Sequence, residues 1–217
     1  MGRKKKEEIV ETLKDEYILL CLDASYKCTG WSLIKVSNRK PYNILNKYCE
    51  VLEYGSIPTN GKDIGKSLLD INNVLEGLFN KYYIDYITAE ESFISTNRLT
   101  GIRLGNVHGV LQLIAAKHSK KIVYYSVMTM KSKTLNGIKL KKEDGSKKTG
   151  EELKIEVSNK VKEIFKNTSN LGSEITLDET DSISAGVTFI LMDGQEVKKE
   201  KKEKKEKKAK KKSKNNE

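Results

Sequence analysis

Cysteine, histidine, proline and long apolar runs are all scarce in this chain, and each scarcity removes a class of protein. Three cysteines, Cys21, Cys28 and Cys49, are odd in number and show no Cys-x-x-Cys spacing. That excludes a disulfide-stapled secreted scaffold and leaves reduced thiols in a cytosolic protein. The two histidines, His108 and His118, stand at no ligand spacing from a cysteine or an acid, so both read as ordinary helix residues. The longest apolar run, residues 18–22, is far too short to span a bilayer. The opening MGRKKKEEIVETLKDEY is basic but has no apolar signal core, and Lys6 stands where a myristoylation signal wants Ser or Thr. No membrane partner is expected, and the expected location is cytoplasmic.

What is present is charge, unevenly spread. Residues 198–217 hold twelve lysines and four glutamates, net +8, which leaves only +3 of the formal +11 for everything before them. The basic character therefore belongs mostly to the tail. Such a block buries no apolar surface, so residues 195–217 are expected to be disordered, with attraction to polyanions or simple solubilisation as their use. Residues 1–15 read as a charged lead-in, and 16–194 as one domain, a length suited to one core.

Within that domain, residues 18–23 form an apolar run of strand length that ends in Asp23, as expected for a central strand buried on both faces. Residues 31–36 alternate and residues 47–54 are β-rich, so an antiparallel meander of three strands is expected. Gly55 and residues 58–61 break the pattern, after which Ile64, Leu68, Ile71, Leu75 and Leu78 recur at helical spacing. Residues 82–89 form the next strand, ending at Glu90. A helix over 97–117 carries two apolar stripes and three glycines four apart, Gly101, Gly105 and Gly109. Each glycine costs about 1 kcal/mol of helix propensity, which points to close approach of another backbone, in the sheet or a second subunit, or else to substrate contact. Residues 121–127 form a fifth strand, and strand, helix, strand implies parallel pairing. The expected fold is α/β: a five-stranded mixed sheet, strands 1–3 antiparallel and strands 1, 4 and 5 parallel, flanked by helices. Residues 129–152 look too polar and irregular for the core, with 138–152 as a lysine-rich insertion. A helix follows over 151–166, and Thr176 with Glu179 has the spacing of a capping box that starts the last helix.

Four acids stand out in this arrangement. Asp23 and Glu90 each end a core strand, and neighbouring parallel strands deliver their ends to the same side of a sheet. Asp178 and Asp181, three apart, project from one face of the first turn of the last helix, ahead of the apolar stripe Ile183, Val187 and Ile190. Four converging carboxylates repel one another unless cations sit between them. Oxygen-only ligands point to Mg²⁺, with Mn²⁺ as a substitute, and a pair of such ions about 4 Å apart serves phosphodiester hydrolysis.

These residues resemble the RuvC-type Holliday junction resolvases of the ribonuclease H-like nucleases. Asp23, Ala24, Ser25, Thr29, Gly30 and Trp31 are similar to the first motif of that family. Asp85, Tyr86, Glu90 and Phe93 resemble the second, Leu104, Gly105, Gly109 and Val110 the helix signature, and Asp178 with Asp181 the closing acidic motif. The resemblance implies a ribonuclease H-like fold and a homodimeric, metal-dependent endonuclease that nicks four-way junctions, with other branched DNA as further substrates. It implies that Asp23, Glu90, Asp178 and Asp181 hold the metals, and that Phe93 wedges or stacks at the junction, unless it is a packing residue. It implies basic DNA contacts at Lys131 or Lys133 and at Lys154, and a His108 placed to face DNA. Ala24, Ser25 and Tyr26 stand where Pro-Gly-Ser is usual, so no sequence preference is carried over.

Two other functions remain open at this point. One is a junction-binding protein with a silent nuclease site. The other is an actin-like or sugar-kinase ATPase, because Asp23 with Thr29 and Gly30 also resembles the phosphate loop of those folds. That fold needs a second phosphate loop and a longer chain.

Overall fold

The computed structural model describes residues 13–25, 27–38, 45–59, 63–91, 97–137, 146–169 and 171–195. The expectations for Tyr26, Phe93, most of the lead-in, residues 138–145 and the lysine-rich tail from 196 onward fall outside them. The chain runs β1 (Tyr17–Asp23), β2 (Cys28–Val36), α1 (Leu45–Tyr48), β3 (Cys49–Pro58), α2 (Ile64–Lys81), β4 (Tyr86–Glu90), α3 (Arg98–Lys117), β5 (Ile122–Tyr125), α4 (Val127–Thr134), α5 (Gly150–Phe165) and α6 (Leu177–Leu191). The strands form one sheet in the order β3-β2-β1-β4-β5. β1 pairs antiparallel with β2 and β2 with β3, whereas β1–β4 and β4–β5 are parallel, as the sequence pattern predicts.

Two apolar layers hold the sheet. Because successive side chains on a strand point to opposite faces, Leu20 and Leu22 of β1 join Ile71 and Leu75 of α2 and Val107 and Leu111 of α3 on one face. Leu19 and Cys21 join Val157, Val161 and Phe165 of α5 and Ile183, Val187 and Ile190 of α6 on the other. The same parity decides where the two strand-end acids go. Asp23 follows Leu19 and Cys21 onto the α6 face, and Glu90 follows Tyr86, which packs against that same layer.

The final helix lies unusually close to the sheet. A Cβ on Gly186 would stand 2.5 Å from Cys21 Sγ and from Ile34 Cδ1. Ser182 Oγ donates to Ser32 Oγ at 3.0 Å, and the Ser184 and Thr134 hydroxyls meet at 2.8 Å, which ties α6 to β2 and to α4. Its start is held by the expected capping box: Thr176 Oγ1 accepts from Glu179 N, and the Glu179 carboxylate accepts from Thr176 N. Thr176→Ala should lower stability by about 1 kcal/mol, and equilibrium urea unfolding checks this; an unchanged midpoint would show that the cap adds nothing to tertiary anchoring.

Several sequence expectations need correction. β3 begins at Cys49, after a turn of helix, and runs through Gly55 to Pro58 instead of breaking there. Gly55 is needed because the Trp31 indole lies over it, 2.9 Å from where a Cβ would be. The sequence pattern ends the fifth strand at residue 127 and makes residues from 129 onward irregular; that strand covers Ile122–Tyr125, and residues 127–134 form α4, capped by Ser126 and burying Met130, Lys131 and Thr134. Eight mostly polar residues carry too little periodicity to reveal it. On α3 one apolar stripe is buried, whereas on the other Val110 packs against the core but Ile102 and Leu113 remain 52% and 59% exposed. Gly101, Gly105 and Gly109 face open space, so close packing on the sheet is not their reason. His108 is buried against Tyr124, and burial holds it below the ordinary histidine value. No helix among the described residues is long and apolar enough to cross a membrane.

Candidate active site

The four acids singled out in the sequence meet. Asp23 and Glu90, at the ends of β1 and β4, and Asp178 and Asp181, in the first turns of α6, line one open cavity of about 300 Å³. The register Leu22↔Ala89 places the last residues of the two parallel strands side by side. Gly30 explains how α6 reaches them. It pairs with Asp23 across β1 and β2, and a Cβ there would stand 2.1 Å from the Asp178 carbonyl oxygen. Only a residue without a side chain lets the first turn of α6 rest on the strand beside Asp23.

Two lysines enter the same cavity. Lys131, on α4, is 9% exposed and lines it, while Lys133 is exposed to solvent and does not. Helical geometry separates residues two apart by about 200°, so only one of the pair could face inward. Lys154, from α5, sets its Nζ 2.8 Å from Asp181 Oδ2. Phe93 lies outside the described residues. Asp85 belongs to the other end of the sheet, where it accepts from Ile18 N at 3.0 Å and pairs with Lys14. Thr100 and Leu104 of α3, Val127 and Met130 of α4, and Ser184 complete the wall. Periodicity places Thr100, Leu104 and Ser184 on helices, and Leu104 belongs to the helix signature, but local pattern neither reveals α4 with Val127 and Met130 nor says which helix end abuts the strand mouths.

The electrostatics follow from burial and crowding. Asp23 is 6% exposed; burial first, then repulsion from Glu90 and Asp181, raises its carboxyl well above the usual carboxylate range, against the pull of Lys154. Glu90 is pushed up to about 7 by burial and by Asp181, with Lys154 and Lys131 opposing. Asp181 is also raised by burial, and its hydrogen bond from Lys154 works the other way. Burial disfavours the Lys154 ammonium, but the hydrogen bond and attraction to Asp181, with attraction to Asp23, outweigh it and raise its value.

Carboxylate oxygens with no thiol or imidazole lining the cavity fit a hard divalent cation. Among the described residues, no three His, Cys, Asp or Glu side chains are already gathered as a metal cage. The four acids line one cavity without forming such a cage.

A mixed sheet of this order, with acids at the mouths of two parallel strands and at the start of a helix crossing them, is a ribonuclease H-like nuclease architecture. The structure is similar to Thermus thermophilus RuvC in complex with a Holliday junction substrate, with a TM-score of 0.64 and 12% identity over 82% of this chain and 95% of that one. It is also similar to the yeast mitochondrial Holliday junction resolvase Ydc2, with a TM-score of 0.54 and 12% identity over 85% of this chain and 81% of that one. In sequence, the crossover junction endodeoxyribonuclease RuvC of Rickettsia typhi is 33% identical over 121 residues, 55% of this chain and 71% of the relative. That of Ehrlichia chaffeensis is 29% identical over 129 residues, 59% and 77% of the two chains. The family model for crossover junction endodeoxyribonuclease RuvC matches residues 19–189, and the chain belongs to that family.

Proposed function

We propose that this protein is a Mg²⁺-dependent, structure-selective endonuclease that nicks four-way DNA junctions, and other branched DNA, in recombination, repair or phage DNA processing in the cytoplasm. The observation that carries the reading is the convergence of Asp23, Glu90, Asp178 and Asp181 on one cavity walled by Lys131 and Lys154, in a chain of the RuvC family. Its relatives bear the name crossover junction endodeoxyribonuclease.

The four carboxylates would hold two Mg²⁺, or Mn²⁺ in their place; such ions activate a water for in-line attack and stabilise the leaving oxygen. The chain does the rest. β1 and β4 fix Asp23 and Glu90 on a rigid sheet, and α6 fixes the other pair. Lys131, held by α4, and Lys154 set positive charge where the strand's phosphate enters, and the apolar side chains of Val127, Met130 and Leu104 limit water on that side. Phe93, three residues beyond Glu90, is the candidate for stacking at the branch point, where a base on an aromatic ring contributes about 1–3 kcal/mol. Lys133, exposed at the end of α4, remains a candidate for the DNA backbone beyond the cavity.

Symmetric nicking of a four-way junction needs two sites related by a two-fold axis, so a homodimer is part of the proposal. The face of α3 with exposed Ile102 and Leu113 around Gly105 and Gly109 is suited to a second copy of the same helix. Residues 16–194 form the nuclease domain in this reading, with charged flanks at 1–15 and 195–217.

Cleavage of synthetic four-way junctions, forks, flaps and linear duplexes across a Mg²⁺ titration tests the proposal. Metal-dependent paired nicks near the branch point are expected; tight junction binding with no cleavage at any metal concentration would favour a junction-binding protein instead. Deleting residues 198–217 should weaken binding to every DNA alike and flatten its salt dependence. An unchanged salt slope would leave the tail a solubilising role only.

A further inference from the structure

We propose that Lys154 is a built-in competitor for the metal: its ammonium and the divalent cation contend for Asp181, and metal binding releases Lys154 toward the DNA phosphate. The inference rests on the metal-site reading above and deepens it. The Lys154 Nζ stands 2.8 Å from Asp181 Oδ2, in ion-pair contact with a carboxylate that is only 6% exposed. Asp181 shares its cavity with Asp23, Glu90 and Asp178, so the ammonium is the nearest compensation for a crowded negative cluster. An Asp181 oxygen bound to a divalent cation no longer needs a lysine, and a lysine beside that cation is repelled by it.

Lys154 is also free to move. Its side chain is 40% exposed and leaves α5 at the cavity rim, and its long flexible stem turns at little cost. Lys131 differs on this point: it lines the same cavity from α4 but is 9% exposed, with its stem packed inside the wall. The two lysines therefore do different things, Lys131 as a fixed charge and Lys154 as an exchanging one. The exchange links the two ligands. Metal frees the ammonium for phosphate, and phosphate draws the ammonium off Asp181, so each ligand tightens the other by the same factor.

The test is Mn²⁺ binding to the DNA-free full chain, followed by electron paramagnetic resonance, for the wild type, Lys154→Met, Lys154→Arg and Lys131→Met at fixed ionic strength. Lys154→Met should bind Mn²⁺ about tenfold more tightly, Lys154→Arg should stay near the wild type, and Lys131→Met should tighten much less. Junction binding by Lys154→Met should also lose its strengthening by Mn²⁺. Equal or weaker Mn²⁺ binding by Lys154→Met overturns the competition, and so does equal tightening by Lys131→Met, because general charge removal would then suffice. If the wild type and every variant fail to bind Mn²⁺ at millimolar concentration, the metal site itself is wrong and the competition falls with it. Circular dichroism of each variant confirms that folding is retained.

Discussion

Asp23→Asn should abolish junction cleavage by at least about 10³-fold while leaving junction binding within a few-fold of the wild type, and it should make the protein more stable in EDTA. Both effects come from one fact: a carboxylate 6% exposed is set among three others. Amide replacement keeps the shape but removes a buried charge that burial, Glu90 and Asp181 all disfavour. The gain should be about 1 kcal/mol, or 2–4 °C in Tm for a domain of this size. The pH dependence has a definite sign. Asp23, Glu90 and Asp181 are all raised in the fold, Glu90 to about 7. Between about pH 4, where an unfolded carboxyl releases its proton, and pH 7, the folded chain binds more protons than the unfolded one. Stability in EDTA therefore falls as pH rises through that window. His108, held low by burial, contributes with the opposite sign. Melting curves from pH 4 to 8 should show the decline in the wild type and a shallower one in Asp23→Asn; cleavage surviving the substitution would remove Asp23 from the chemistry.

Gly30→Ala should also damage activity, though less than Asp23→Asn, even though residue 30 carries no side chain into the cavity. Its Cβ would stand 2.1 Å from the Asp178 carbonyl oxygen and 2.6 Å from the carbonyl carbon, both of them backbone. No side chain can rotate away, so the start of α6 must move off β2. Displacement by about an ångström is enough to cost about 10²-fold in rate when geometry is the source of catalysis. The overpacking itself should cost about 1–3 kcal/mol. α6 is also pinned by Ser182 to Ser32 and by Gly186 over Cys21, so the shift should tilt the first turn instead of sliding the helix. Asp178 and Asp181 would then lose their aim at Asp23 and Glu90. Cleavage rate and Tm measured side by side check this; a variant with full activity and unchanged stability would mean that α6 sits farther from the sheet than these contacts require.

Much of the architecture was legible in the sequence because it is written in local periodicity. The run ending in Asp23, the strand ending in Glu90, the helical stripe of Ile71, Leu75 and Leu78 and the capping box at Thr176 and Glu179 are each contained in a short window. The structure holds all of them. Where burial was decided by a neighbour, local pattern failed. The second stripe of α3 looked as apolar as the first, yet Val107, Leu111 and Ile114 are buried in the core, whereas of the second stripe only Val110 packs against it and Ile102 and Leu113 stay exposed. Gly55 reads as a breaker until Trp31 is placed over it. α4 is short and polar, and its buried Met130 and Thr134 owe their places to α6.

The sequence by itself determined that four acids stand at two strand ends and a helix start, and the order in which the sheet delivers them. Carboxylates at strand ends and a helix start are positions along a chain, and strand parity puts Asp23 and Glu90 on one face. Only the tertiary structure decided between Lys131 and Lys133, paired Lys154 with Asp181 and gave Gly30 its reason. Each of these is a contact between elements distant in sequence: α4 on α6, α5 on α6, and α6 on β2. A periodic pattern records which face of an element is buried but not what lies against it, and the chemistry of this site depends on what lies against it.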